Sequence, residues 1–311
     1  MSWEIKKLSD CCVSIADGDH QAPPKADSGI PFVTISNINS ANQFDFTDTM
    51  FVPQEYYDRL DSKRKAQKGD ILYSVVGSFG IPVFMKETIP FVFQRHIAIL
   101  RPNNTILPQF LYYTMLSRDF YMMADAAALG AAQRTVSLTA LRNMKIAVPP
   151  MDVQKIIVDI LSAYDDLIEN NQNQIKLLEE AAQRLYKEWF VDLRFPGHKT
   201  TPITDGIPEG WKKDRADAFF NMSIGKTPPR AEKQWFTDGG NGTPWISISD
   251  MGNYGTYVFD TAEALTVEAI SKHNVKVVPS DTVLVSFKLT VGRVSITTTD
   301  TCTNEAIARK C

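Results

Sequence analysis

Five polar segments hold the side chains best suited to directed chemistry: Asp17-Gly18-Asp19-His20-Gln21, Ser36-Asn37, Gly77-Ser78-Phe79-Gly80, Gln94-Arg95-His96 and Gly130-Ala131-Ala132-Gln133-Arg134-Thr135-Val136-Ser137. Most of these side chains are neutral donors and acceptors. Ser, Asn, Gln, Arg and His on loop tips make directed hydrogen bonds to the edges of nucleic-acid bases, while glycine-loop amides and scattered Lys or Arg hold phosphates. The same residue types also close ordinary turns, and residue type alone leaves both readings open.

Catalytic signatures are missing. Gly225-Lys226-Thr227 ends like a phosphate-binding loop, but Phe220 stands where the first glycine of that motif belongs, and Pro228-Pro229 blocks the helix that must follow. Asp48, Asp61 and Lys63 are of the types a metal-dependent nuclease uses, yet charges in such a loop usually form a solvated face. There is no G-x-S-x-G elbow and no H-E-x-x-H. The Pro-Pro pairs follow Ala22, Val148 and Thr227 rather than the Asn or Asp of an amino-methyltransferase motif. Histidines 20, 96, 198 and 273 are scattered, with His20 and His96 placed among polar loop residues. Cys11, Cys12, Cys302 and Cys311 have neither zinc-site spacing nor the pattern of a disulfide framework.

The elements that must position these loops follow from length and repetition. A chain of 311 residues exceeds what one hydrophobic core usually organises, and 44% hydrophobic with 22% charged residues is a globular composition. Net charge is −3, divided as +1 over residues 1–150, −3 over 151–200 and −1 over 201–311. No region has the basic excess of a protein that grips nucleic acid by charge alone. No signal peptide and no run of about 18 apolar residues is present, so the chain reads as cytosolic, off the membrane, with reduced thiols.

The sequence repeats itself. Gly29, Pro31, Ile35 and Ser36 match Gly242, Pro244, Ile248 and Ser249 at an offset of 213. Trp3 with its two lysines matches Trp211 with Lys212 and Lys213; Ser74 and Gly80 match Ser286 and Gly292; Ile97-Ala98 matches Ile307-Ala308. Short apolar runs at 31–35, 70–76, 81–84 and 91–100 predict strands, and 108–126 predicts a helix. The fold class is therefore α+β, with domain one over 1–150 and domain two over 205–311. By this repeat the second copy stops at the equivalent of about residue 101, short of a counterpart to Pro108–Pro150. A missing closing strand is expected to expose a sheet edge.

Between the copies the period changes. Ile157, Leu161, Tyr164, Ile168, Asn171, Ile175, Leu178, Ala182, Leu185 and Trp189 recur in steps of three and four, a heptad seam interrupted by one asparagine. The spacing predicts a coiled-coil helix over 151–195, starting near Asp152 as N-cap and about 60 Å long. A polar residue on such a seam fixes register or orientation. Unless the helix is an amphipathic one folded onto its own domain, the seam pairs with a helix from another chain or from a second copy of this one, or stays exposed.

Taken in order, these features resemble the specificity subunit of type I restriction-modification enzymes. The carriers are Trp3 to Leu8, Asp17-Gly18-Asp19-His20 before Pro23-Pro24, Gly29-Ile30-Pro31-Phe32-Val33, Lys68-Gly69-Asp70-Ile71-Leu72, Gln133-Arg134-Thr135, Val148-Pro149-Pro150, and Gln154 with Ile157 opening the helix. The resemblance spans essentially the whole chain. It implies two target-recognition domains that each read half of a bipartite site in double-stranded DNA, with helices setting the unread spacer. It assigns recognition roles to Ser36, Asn37, Ser78, Gln94, Arg95, Gln133 and Arg134, and helix pairing to Ile157, Leu161, Tyr164, Ile168, Asn171, Ile175, Leu178 and Leu185. It implies no catalysis and no cofactor in this chain. S-adenosylmethionine would belong to adenine-methylating modification subunits, and ATP with Mg2+ to a restriction and translocase subunit.

The sequence departs from that plan in length: a full second domain and second helix would need roughly 85–90 further residues. A shortened subunit could pair its helix with that of another copy and read a palindromic site; the alternative is that the sequence is a fragment or frameshifted product of a longer one. Two other readings stay open: the recognition part of a fused restriction-methylation polypeptide, which would need methyltransferase motifs ahead of Met1, and a structural coiled-coil protein with no DNA role.

Overall fold

A computed structural model describes residues 3–39, 41–131 and 133–310. Ala132 in the Gly130 segment and the fourth cysteine, Cys311, lie outside the described residues. The chain forms two compact units, one up to Arg184 and one from Leu185 onward.

In the first unit, the strands Cys12–Asp17, Ile97–Pro102, Ile71–Ser74 and Pro82–Phe84 form, in that order, an antiparallel sheet. A second sheet places Ile30–Val33 between antiparallel Met50–Val52 and parallel Val92–Phe93. The run at 91–100 is thus two strands belonging to different sheets, split by the turn at Gln94-Arg95-His96. Because side chains alternate along a strand, Leu72, Ile97 and Ile99 meet Val33, Phe91 and Phe93 in one core. Ile71, Tyr73, Ala98 and Leu100 face the other way, into a core closed by helices Pro108–Leu116, Arg118–Ala127 and Leu138–Asn143. With both faces covered, all four residues of Ile71–Ser74 are buried, which is why this strand reads as a continuous apolar run.

The expected helix at 108–126 is two helices. The backbone is extended at Ser117, whose hydroxyl caps the second helix by accepting from the Phe120 amide at 3.2 Å. The closing strand Lys145–Val148 pairs with Glu4–Lys7 in a separate two-stranded ribbon. It forms no edge of the main sheet, which corrects the expectation of an edge lost with it.

A helix begins at Met151, directly after Pro149-Pro150, and runs to Tyr186 before one wide turn over Lys187–Val191. Asp152 lies inside its first turn rather than at the N-cap. Thirty-six residues give about 54 Å. Gln154, 1% exposed, fastens the start: its Oε1 accepts from the Leu107 amide at 2.8 Å and its Nε2 donates to the Pro149 carbonyl at 2.9 Å. Farther along, Tyr113 donates to Asp165 at 2.7 Å and Lys86 pairs with Glu169.

The second unit repeats the first in three dimensions. Thr243–Ile246 pairs antiparallel with Glu263–Leu265 and parallel with Cys302–Thr303, as Ile30–Val33 does with its neighbours. Met222–Ile224, Ile307–Lys310, Val283–Ser286 and Val294–Thr297 reproduce the four-stranded antiparallel sheet, and Tyr257–Val258 adds a parallel fifth strand. Gly29 and Gly242 hold φ of 137° and 146°, and a Cβ on either would strike the carbonyl oxygen of Val52 or Leu265. That close approach accounts for the matched glycines. The sheet face that helices cover in the first unit carries exposed Met222, Ile224 and Val294 in the second. What is bare is a face rather than an edge.

Candidate nucleic-acid interface

The sequence-predicted loops of the first unit are stitched together by backbone hydrogen bonds at one end of the strands. The Gln94 amide donates to the Val33 carbonyl, the Val75 amide to His96, the Val136 amide to Val75, and the Gly77 amide to Arg134, all between 2.8 and 3.2 Å. Asp19 bridges from the side, its amide donating to Phe93 and its carbonyl accepting from Arg95, each at 3.0 Å. Gly18 permits this approach, since a Cβ there would lie 2.2 Å from the Phe93 oxygen.

On this frame the candidate side chains divide by how much of their hydrogen bonding the fold consumes. Arg95 and Ser78 are exposed and Gln94 half-buried, and none has a side-chain partner among the described residues. Gln133 is exposed beside the Gly77 turn. Ser36 is exposed and shares a 2.7 Å hydrogen bond with the Thr34 hydroxyl. Asn37, by contrast, is spent on its own turn: its Oδ1 accepts from the Thr34 amide at 2.9 Å and hydroxyl at 3.1 Å. Arg134 pairs with the Asp125 carboxylate, donates to the Asp125 carbonyl at 2.5 Å and lies 5.4 Å over the Phe79 ring, which stacks on Tyr121. Its guanidinium therefore holds the Gln133–Arg134 loop against the Gly77–Gly80 turn.

The acidic loop is also occupied. Asp17 pairs with His20 at 2.6 Å and with Arg64 at 3.6 Å, and Asp19 accepts from the Tyr56 hydroxyl. Burial and this bond push the Tyr56 phenol up to about 12. Partial burial, with the Arg95 charge beside it, holds His96 below the ordinary histidine value, so its ring stays neutral at pH 7. Arg64 and Tyr56 escaped the sequence reading because nothing near them in the chain marks their meeting with residues 17–20. Asn304 and Glu305 also escaped it, although the match of Ile97-Ala98 to Ile307-Ala308 places them opposite Gln94 and Arg95.

Among the described residues no three His, Cys, Asp or Glu side chains are grouped to hold a metal. The Cys12 and Cys302 thiols are pushed up to about 12 and 11 by burial, far from thiolate reactivity. Gly225-Lys226 forms a sheet-side loop, the Lys226 amide donating to Thr303 at 2.9 Å, rather than a phosphate cradle before a helix. Of the seam, Ile157 is half-buried against the first unit, whereas Leu161, Tyr164, Ile168, Asn171, Ile175, Leu178 and Leu185 are exposed.

Residues 1–180 match the family described as the type I restriction modification DNA specificity domain. The chain belongs to this family. Among relatives, it is 24% identical to the type I restriction enzyme HindI specificity subunit of Haemophilus influenzae, over 89% of this chain and 74% of that one. It is 23% identical to the MjaIX specificity subunit of Methanocaldococcus jannaschii, over 74% of this chain and 54% of that one. The crystal structure of a type I restriction-modification S subunit from M. genitalium shares the fold, with a TM-score of 0.54 and 13% identity, covering 99% of this chain and 72% of that one. As a type I specificity protein the chain is a DNA-recognition subunit and not itself a catalyst. Two β-rich repeats joined through a long helix are the α+β architecture of that family. No described helix is long and apolar enough to cross a membrane.

Proposed function

We propose that this specificity subunit reads a bipartite site in double-stranded DNA, one half through each repeat, with residues 1–150 and 205–311 as readers and 151–195 as the spacer segment, helical as far as Val191. In the first reader Ser36, Asn37, Ser78, Gln94, Arg95, Gln133 and Arg134 form the recognition surface. Gln94, Arg95 and Ser78 make the base contacts, and Asn37 and Arg134 hold the loops that present them. The carrying observation is that Arg95 and Gln94 project from a turn braced by three neighbouring loops, with side-chain bonding capacity that none of the described residues takes up. Preorganised, unpaired donors and acceptors are what direct readout requires.

Partners complete the activity. Adenine-methylating modification subunits, using S-adenosylmethionine, and a restriction and translocase subunit, using ATP and Mg2+, would act in the cytoplasm at the site this chain selects. A net charge of +1 over residues 1–150 is too small to neutralise many phosphates, so the modification subunits supply much of the electrostatic grip. The exposed seam from Leu161 to Leu185 pairs with another helix, in a partner chain or a second copy of this one.

The test is the methylation pattern of cells producing the chain with an adenine-methyltransferase partner. An asymmetric bipartite motif is the expected result. A palindromic motif would mean that two copies pair through the helix, and absence of any motif would refute the reading. Gel shifts divide the labour: the chain alone should bind weakly at moderate salt and the assembled complex tightly.

A further inference from the structure

Five backbone hydrogen bonds that hold the Gln94–His96 turn recur in the second unit around Asn304–Ala306. Gln94 N to Val33 O at 3.2 Å becomes Asn304 N to Ile246 O at 3.1 Å, and Ile97 N to Gln94 O at 3.0 Å becomes Ile307 N to Asn304 O at 3.3 Å. Val75 N to His96 O at 2.8 Å becomes Phe287 N to Ala306 O at 3.0 Å. Gly18 N to Ile97 O and Asp19 N to Phe93 O, both 3.0 Å, become Gly225 N to Ile307 O at 3.1 Å and Lys226 N to Thr303 O at 2.9 Å. Gly18 and Gly225 face the same obstruction, a Cβ on Gly225 falling 2.2 Å from the Thr303 oxygen. The frame is conserved within the chain to a few tenths of an ångström, and it fixes which residues correspond. Arg95 and Glu305 occupy the same exposed position with opposite charge and opposite hydrogen-bonding capacity.

We propose that Arg95 and Glu305 are equivalent base-reading residues of the two repeats, Arg95 selecting guanine and Glu305 selecting cytosine. The inference rests on the DNA-reading function proposed above and deepens it. An arginine fork offers paired donors that match guanine O6 and N7, whereas a carboxylate only accepts and matches the cytosine N4 amino group. A carboxylate beside DNA is repelled by phosphates, so its presence at a reading tip needs local compensation. Thr227 donates to Glu305 Oε2, and Lys288 and Arg230 act on the carboxylate electrostatically. These neighbours orient the group and keep it ionised, and a carboxylate has lone pairs left for a base after one such bond.

The experiment compares the full chain with Arg95→Gln and Glu305→Gln, each co-produced with the methyltransferase partner, by methylation motif and by selection from randomised duplexes. Glu305→Gln keeps an acceptor for Thr227, and thermal melting reports whether either variant disturbs the fold. Each variant is expected to relax one base position in a different half of the motif, by roughly 5- to 150-fold in preference. A wild-type motif that both variants leave unchanged, or weaken evenly at all positions, overturns the inference while leaving the DNA-reading function intact. Loss of both melting transition and binding in a variant overturns the reading role in favour of a structural one. A wild-type chain that selects no sequence overturns both.

Discussion

Asp70 and Arg101 form a two-pronged pair, Nε donating to Oδ1 at 2.9 Å and Nη2 to Oδ2 at 2.8 Å, with the carboxylate 1% exposed. The same Nη2 donates to the Lys65 carbonyl at 2.9 Å, and the Gln67 amide donates to Asp70. The pair ties the start of one central strand to the end of its neighbour and to the loop below. Asp70→Ala strands a guanidinium and an amide, and by the behaviour of broken buried pairs it should cost about 3–5 kcal/mol in urea unfolding. Asp70→Leu combined with Arg101→Met should regain much of that loss, because both charges leave together.

Gly18 and Gly225 make a matched prediction. A methyl group on either meets backbone oxygens that cannot swing aside, at 2.2 and 2.4 Å for Gly18 and 2.2 and 2.0 Å for Gly225. Each Gly→Ala variant should therefore lose roughly 1–3 kcal/mol and weaken DNA selection in its own half-site alone. Gly240→Ala is the control: nothing lies within 4 Å of its Cβ position, and its stability should stay within about 0.5 kcal/mol of the parent. Equal melting temperatures for all three would refute the close-approach account.

How far the sequence reveals the fold depends on how local the cause is. Repeated glycines, apolar strand runs and the heptad seam are legible because each needs a particular residue at a fixed spacing. The recognition surface is only partly legible. Asn37 and Arg134 have the residue types of base readers, yet Thr34 and Asp125, three and nine residues away, consume their hydrogen bonds. Arg64 and Tyr56 meet the Asp17–His20 loop across more than 30 residues of chain, and no spacing announces that meeting. The partition of 91–100 between two sheets is likewise a tertiary outcome, decided by where the Gln94 turn is braced.

Alkaline pH should loosen the first unit. Tyr56 stands at about 12 in the fold against an ordinary 10.0, and burial together with Asp165 raises Tyr113 as well. A phenol whose folded value lies above its unfolded value contributes stability in full below about pH 10 and loses it as pH rises through the folded value. The urea midpoint should therefore fall between about pH 10 and 12, and Tyr56→Phe should reduce that fall. On the acid side, His96 is held below its ordinary 6.5, so the unfolded chain takes up its proton first and stability declines as pH drops below that value. A His96→Gln variant should remove that part of the acid slope.

The seam supplies the last prediction. Ile168, Ile175 and Leu178 are 54, 57 and 69% exposed, so their burial contributes little to the first unit. Ile168→Gln with Ile175→Gln should leave the melting temperature of the isolated chain nearly unchanged, yet weaken helix pairing at least tenfold in sedimentation. That separation arises because only the paired state removes these side chains from water, each worth roughly 1.5–3 kcal/mol when fully buried. Asn171→Ile should act in the opposite sense, tightening association while allowing more than one register or stoichiometry, since the asparagine trades stability for specificity on the seam. Sedimentation that stays monomeric for the chain alone, and becomes sensitive to Ile175→Gln only with the methyltransferase partner present, would place the complementary helix in that partner.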